Sequence, residues 1–537
     1  MLPRADAVAS LTREPFDVLV IGGGITGAGV ALDAATRGYS VALVERNDYA
    51  GGTSSRSSKL VHGGLRYLQN FDLGLVREAL LERQINVNLA PWLTKPLPLI
   101  VPAFEGQRLD RIVGLGLNAY DVMSVDRIRR RRRRDDSDWS PARHRIIPGE
   151  EVAQLLPALE GRAPTSGYLF YDCQTDDSRL VLTVLAEAER FGVVAANRVE
   201  VLELLEDGGR AIGARVRDAE AGEELEIRAS TIVNATGVWA DRLRPAELHD
   251  EAEVPVIRPS RGTHIIVDGD RLPMTAGAIV PAGAGRTIFV LPWLGQTLIG
   301  TTDTDHSGDV VHVRPTEEDV DYLLDAVNGF FATSLTPDDL AGAYAGVRPL
   351  ISTGDRGKSV DISRKAELYE TSSGMITITG GKLTTWRRMA KQTVDRIVER
   401  DGSDARCITH ELPLGMAVEP DDLAAPEWAR EQLAGRYGHV AHDVLAAGPA
   451  ERIVDGRPDL LAEVVYAARR EQARTLADVL LRRTRLGLTA ARALTAPVLE
   501  RVAGVLGDEL GWDETRRARE LDAFAQEARE EGILPAP

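Results

Sequence analysis

FDVLVIGGGITGAGVALDAATRGYSVALVE, residues 16–45, decides the fold. FDVLVI (16–21) is an apolar run of strand length, 25–37 reads as an Ala-rich helix, and SVALVE (40–45) reads as a second strand, so the segment is a βαβ unit. Gly22, Gly24 and Gly27 form G-x-G-x-x-G between strand and helix, with Ile25 and Thr26 at the helix start, and Glu45 ends the second strand. The glycines allow a tight turn and close approach of a pyrophosphate to the helix N-terminus, while the carboxylate can accept hydrogen bonds from ribose hydroxyls. An acid at this place argues against a 2′-phosphate and leaves FAD or NAD.

Two later segments favour FAD. TIVNATGVWADRL (231–243) is another strand that ends in a turn, Ala235-Thr236-Gly237, suited to lie beside an extended cofactor. ITITGGKLTTWRR (376–388) runs from a strand through Gly380 and Gly381 into a helix start at Lys382, Leu383 and Thr384, again presenting backbone N–H groups. Three such sites exceed what NAD binding needs. Residues 50–70 (AGGTSSRSSKLVHGGLRYLQN) are polar and Gly-rich, the composition of a loop built to touch something. Thr53, Ser54, Ser55, Ser58 and Lys59 supply hydroxyls and an amine there.

With 537 residues the chain is too long for one ordinary core. The balance of 64 Lys and Arg against 81 Asp and Glu, a net charge of −17, disfavours a nucleic-acid binder that must offset phosphate charge. Cys173 and Cys407 are too few for a disulfide framework, so a reducing compartment is expected, and no His or Cys spacing suggests a metal site. The chain starts without a secretory signal, and its apolar stretches fall short of the roughly 20 residues of a spanning helix. HIIVD, TIFVLPW and TLIGTTD, between 264 and 303, read as short antiparallel strands separated by Gly and Pro. From about residue 404 the composition becomes helical.

GGGITGAG, TSSRSSKLVHGGLRYL (53–68), YDCQTDDSRLVL (171–182), NATGVWAD (234–241), GVRPL (346–350), GGKLTTWR (380–387) and EVVYAARREQARTLADVLLRRTRLGL (463–488) together closely resemble FAD-dependent glycerol-3-phosphate dehydrogenase. The motifs run in order over nearly the whole chain, 105–150 matching least. The resemblance implies an α/β fold: a doubly wound, glutathione-reductase-like FAD domain, an inserted antiparallel β substrate domain and a C-terminal α-helical domain. On this chain the FAD domain is expected in three parts, 14–90, 171–250 and 346–400, with substrate-domain or cap segments at 91–170, the inserted sheet at 251–345 and the helical domain at 404–537.

The activity implied is oxidation of sn-glycerol 3-phosphate to dihydroxyacetone phosphate, hydride passing from C2 to FAD and electrons on to a quinone. Glycerol-3-phosphate oxidase, which passes electrons to oxygen, shares these motifs, and a non-catalytic dinucleotide sensor is the alternative of another class. Cofactor contacts carry over to the glycines, Glu45 and the polar loop, and to His62, Gly63, Gly64, Val199, Ala235, Thr236, Gly237, Gly381, Lys382, Leu383 and Thr384. A phosphate dianion calls for fixed cations; by resemblance Arg66 with Tyr67, Arg348, Arg364 and Lys382 are the substrate contacts, with Arg348 near the reacting hydroxyl. Something must take the hydroxyl proton, and His62 and His264 are equal candidates. The resemblance also implies peripheral membrane attachment at the cytoplasmic face, with a homo-oligomer as a further expectation. The Arg-rich run at 127–134 and the amphipathic LTTWRRMAKQTVDRIVER (383–400) are two candidate lipid contacts, the second equally explained by packing against the FAD domain.

Overall fold

Strand Phe16–Ile21 lies in the middle of a sheet, parallel to Val41–Val44 on one side and to Glu224–Asn234 on the other. The protein is described by a computed structural model covering residues 1–65, 72–106, 109–123, 142–243, 256–283, 285–352 and 366–533. Val194–Ala196 adds a further parallel strand beyond Val41–Val44, and Ile376–Gly380 adds one beyond Glu224–Asn234. Runs such as VALV (41–44) are buried on both faces, as parallel strands under helices require. The parallel strands share one direction, so the ends of three of them, Ile21, Asn234 and Gly380, deliver their Gly turns to a single edge of the sheet. Ligands in such folds bind outside the carboxyl ends of the strands.

Helix Ile25–Thr36 covers this sheet, and helix Trp386–Asp401 lies against it. Their contact depends on Gly29, where a Cβ would stand 2.7 Å from the Trp386 ring. Trp386, Met389 and Ile397 are buried in the core. On the polar side Arg387 pairs with Glu82, Arg388 with Glu78 and Lys391 with Asp395. The amphipathic pattern of 383–400 is therefore a packing pattern, which removes this helix as a lipid contact. The other candidate, 127–134, lies outside the described residues.

The second sheet holds Val256–Asp268, Gly277–Pro281, Thr287–Trp293, Gln296–Gly300 and Leu340–Ser352. It extends beyond 251–345 into the segments at 91–170 expected to belong to the substrate domain or cap, and takes in Leu60–Val61 and the end of Ser166–Gln174, which were expected in the FAD domain. Leu60–Val61, Lys95–Ala103, Arg145–Pro148 and Ser166–Gln174 join it, and Lys95–Ala103 pairs parallel with Gly277–Pro281. The expected boundary at 345/346 falls inside Leu340–Ser352, which pairs with Val256–Asp268 from Ser352 opposite Val256 to Leu340 opposite Val267. That ladder has more hydrogen bonds to lose than a domain boundary could tolerate, and it carries Arg348 and His264 on neighbouring strands.

Helices Glu427–Tyr437, Leu461–Arg470, Ala496–Leu510 and Glu514–Glu530 make up most of the C-terminal region. It shares a core with the second sheet, Leu480, Leu486, Leu506 and Phe524 packing with Leu99, Phe170 and Trp293. Among the described residues no helix is long and apolar enough to cross a membrane.

Candidate active site

A cavity of about 600 Å³ opens at the edge where the three Gly turns meet, between the two sheets. Gly22, Gly24, Ile25 and Thr26 form one part of its wall, Ala235, Thr236 and Gly237 a second, and Gly381, Lys382, Leu383 and Thr384 a third. Glu45, Val199, Thr53, Ser54, Ser58 and His62 complete the side nearest the first sheet; His264 and Arg348 face them from the second.

The first turn has the properties its spacing implies. Gly22 has φ +113°, and a Cβ there would stand 2.6 Å from the Ala235 carbonyl oxygen. Gly27 is not on the cavity wall. Its role is packing: a Cβ would stand 1.9 Å from the Gly22 oxygen, so helix and strand can approach only if this residue has no side chain. Glu45 accepts from the Gly23 N–H at 2.7 Å and from the Asn47 N–H at 2.8 Å, which holds its carboxylate at the wall while burial raises its pKa. Ser54 Oγ accepts from the Ile25 N–H at 3.0 Å and so caps the start of the helix.

Four further residues expected as cofactor contacts lie away from the cavity. Lys59 is fully buried, its Nζ 2.9 and 3.0 Å from the two oxygens of Asp177 and 2.7 Å from the Ser55 carbonyl; burial lowers its pKa to about 8. Ser55 is buried beneath the loop with it. The Gly63 N–H donates to Tyr120 Oη and Asp172 Oδ1, and a Cβ there would meet Tyr120 at 2.3 Å, so this glycine makes room for a side chain. Gly64, at φ +76°, turns the chain and is not part of the wall.

The two histidines differ sharply. His264 is 2% exposed, stacks on the Tyr344 ring with centroids 4.8 Å apart, and has Nε2 2.8 Å from Ser58 Oγ. Burial, with Lys59 and Arg348 nearby, holds its pKa well below 6.5, so its ring is neutral. His62 is half-buried on the wall, its ring 6.3 Å from that of Phe289. Arg348 projects from its strand with Nη2 3.0 Å from Thr301 Oγ1 and 3.1 Å from the Thr302 carbonyl, and Nη1 3.6 Å from Asp303 Oδ1. Gly262 makes space for this guanidinium, which a Cβ there would meet at 2.4 Å. Lys382 enters the wall beside the Gly380-Gly381 turn. Arg66, Tyr67 and Arg364 lie outside the described residues.

Phe289, Thr301 and Tyr344 were not legible as site residues. Thr301 follows the strand that ends in Gly300, a signal of the same kind that marked the other turns, but nothing local says that this turn faces Arg348. Tyr344 sits in an apolar strand without any motif, and its place behind His264 comes from strand pairing alone, His264 lying directly opposite it.

Comparison with known proteins agrees with this geometry. Residues 17–395 match the family described as FAD dependent oxidoreductase (DAO), and residues 375–517 match the C-terminal domain of alpha-glycerophosphate oxidase. Glycerol-3-phosphate dehydrogenase 2 of Mycobacterium bovis is 37% identical, covering 99% of this chain and 91% of its own. The mitochondrial glycerol-3-phosphate dehydrogenase of Rattus norvegicus is 36% identical over 94% of this chain and 72% of its own. The crystal structure of the glycerol-3-phosphate dehydrogenase from Bacillus halodurans, complexed with FAD, matches with a TM-score of 0.78 at 30% identity, over 99% of this chain and 98% of that one. The chain belongs to the FAD dependent oxidoreductases and, within them, to the glycerol-3-phosphate dehydrogenase family.

Proposed function

We propose that the protein oxidises sn-glycerol 3-phosphate to dihydroxyacetone phosphate with FAD and passes the electrons to a quinone at the cytoplasmic face of a membrane. The observation that carries the reading is the meeting of Arg348, Lys382 and His62 on the wall of the same cavity that the three Gly turns enclose. The residues suit FAD: Gly22, Gly24, Ile25 and Thr26 offer backbone to a pyrophosphate, Glu45 to ribose hydroxyls, and the turns at 235–237 and 381–384 to the rest of the molecule. When bound, FAD accepts the hydride that leaves C2 of the substrate.

Arg348 stabilises the negative charge that develops on the C2 oxygen, its guanidinium held in place by Thr301 and the Thr302 carbonyl. Lys382, joined by Arg66 and Arg364, binds the phosphate. His62 takes the hydroxyl proton. Both rings line the cavity, but His62 is only half-buried, whereas His264 is 2% exposed, is hydrogen-bonded to Ser58, and has its pKa held below the ordinary value by burial. His264 instead orients the Ser58 hydroxyl at the wall.

Membrane attachment has support from helix Arg111–Met123. Gly114, Leu117 and Tyr120 face inward, while Ile112, Leu115 and Val122 are 74%, 73% and 67% exposed along the other side. An apolar stripe of this kind suits the interfacial region of a bilayer, and the Arg run at 129–134 follows it closely in sequence. Anaerobic addition of sn-glycerol 3-phosphate to the FAD-loaded protein tests the central reading, which predicts bleaching of the yellow colour; an unchanged spectrum would refute it. Reduction of a quinone analogue in preference to peroxide release tests the acceptor.

A further inference from the structure

The loop Thr53–Lys59 has two sides. Thr53, Ser54, Ser57 and Ser58 form part of the cavity wall. The underside is held by a buried charge cluster. Asp177, fully buried, accepts from the Ser57 N–H at 3.0 Å, from Ser57 Oγ at 2.7 Å and from Lys59 Nζ on both oxygens. The opposite side of the cluster is Arg485, which comes from the C-terminal helical region. Its guanidinium is completely buried and donates to Asp177 Oδ1 and to Asp176 Oδ1 at 2.7 Å, and through Nη1 to the Leu481 carbonyl at 2.9 Å.

Two cations, Lys59 and Arg485, thus balance two carboxylates, the fully buried Asp177 and the partly buried Asp176. Buried clusters of this kind add little net stability compared with apolar packing, but removing one partner leaves a buried charge uncompensated, so the place of each group depends on the others. Both cations also sit on left-handed backbone, Lys59 at φ +59° and Arg485 at φ +67°. Non-glycine residues persist there only where their surroundings over-determine them. Tyr344 completes the cluster: its hydroxyl donates to the Ser57 carbonyl at 2.7 Å and its ring carries His264. Ser58, between Ser57 and Lys59, is therefore held from both sides.

We infer that Arg485 is a positioning residue for the oxidation: acting through Asp177, it holds Ser57 and Ser58 at the cavity wall, so that the helical region sets the shape of the cofactor loop from beneath. The reaction named here rests on the function proposed above; the clamp itself does not depend on which substrate is used.

The test compares Arg485→Met, Arg485→Lys, Ser57→Ala and the double variant Ser57→Ala/Arg485→Lys, all loaded with saturating FAD. In Arg485→Met the rate of bleaching by sn-glycerol 3-phosphate falls about 100-fold while half-saturation moves less than about threefold, since displacement of a reacting group by about 1 Å costs that much in rate. Arg485→Lys recovers part of the loss. Ser57→Ala leaves every ion pair in place and slows bleaching about tenfold, and the double variant loses less than the product of the single losses, because both changes act through Asp177. A wild-type rate and visible spectrum in Arg485→Met overturns the inference. If that variant does not fold, strictly multiplicative losses in Ser57→Ala and Arg485→Lys overturn it equally. Should wild-type protein not be bleached, the proposed reaction fails, and the clamp is then read from the visible band of bound FAD and its dissociation constant, which must still shift in a non-additive way.

Discussion

Ser58 Oγ lies 2.8 Å from His264 Nε2, joining the polar loop after the βαβ unit to strand Val256–Asp268 of the second sheet. This contact separates two histidines that look equivalent in sequence. Both line the cavity, but His264 is committed to a hydroxyl and kept neutral by burial, while His62 is only half-buried. Replacing His62 by Ala should lower the rate of bleaching by substrate by about 100-fold or more with FAD still bound, the usual scale for loss of a general base. His264→Ala should cost about tenfold, since it acts through Ser58. Single-turnover reduction measures both, and the reverse order of effects would reassign the base.

The neutral state of His264 has a consequence for stability. Its folded pKa lies below the ordinary 6.5, so between the two values the unfolded chain binds a proton that the folded protein does not. Stability from this group is present above pH 6.5 and is lost as pH falls through 6.5 toward the folded value. His264→Phe, which keeps an aromatic ring on Tyr344, should flatten the fall of melting temperature with acidification; an identical slope in the variant would show that other groups set it.

Gly27→Ala inserts a methyl group against the Gly22 carbonyl, a backbone atom that cannot move aside. Overpacking of this kind costs about 1–3 kcal/mol, and here it also displaces the helix start that receives the pyrophosphate. The purified variant should contain little FAD and melt several degrees lower. Full occupancy at normal stability would mean that helix and strand can separate without harm.

Arg348→Lys keeps the charge and loses the fork that Thr301 and the Thr302 carbonyl hold. The expected result is a loss of about 100-fold in kcat with a smaller change in KM, because the interaction matters most as charge develops on the C2 oxygen. A change confined to KM would place Arg348 at the phosphate instead.

Ile112→Asp with Leu115→Asp removes the apolar stripe of helix Arg111–Met123 without touching its buried side. Flotation with vesicles containing anionic lipid should drop sharply, while bleaching in solution stays normal. Undiminished flotation at high salt would move the membrane contact elsewhere.

Much of the fold is legible at short range. Phe16–Ile21, Val41–Val44 and the glycines between them follow one another within a single βαβ unit, and the periodicity of apolar residues reports it directly. The second sheet is less so. Lys95–Ala103 is a strand whose partners, Ser166–Gln174 and Gly277–Pro281, lie more than 60 residues away, and nothing in the segment says which strands it pairs with. Lys59 shows the same limit at the site: a lysine in a polar loop reads as a cofactor contact, and only the presence of Asp177 and Arg485 beneath it makes it a buried anchor.

The turns at 22–27, 235–237 and 381–384 were marked by the sequence alone, because φ freedom and helix starts are properties of residue type and near neighbours, while His62 and His264 were singled out from nine histidines by their place in segments that resemble the family. The tertiary structure alone decided that Lys59 faces inward, that Gly27 and Gly63 serve packing, that the helix at 386–401 is core, and that His264 is neutral. Each of these depends on burial beside groups far away in the chain, and burial is what sets both the cost of a charge and the room for a side chain.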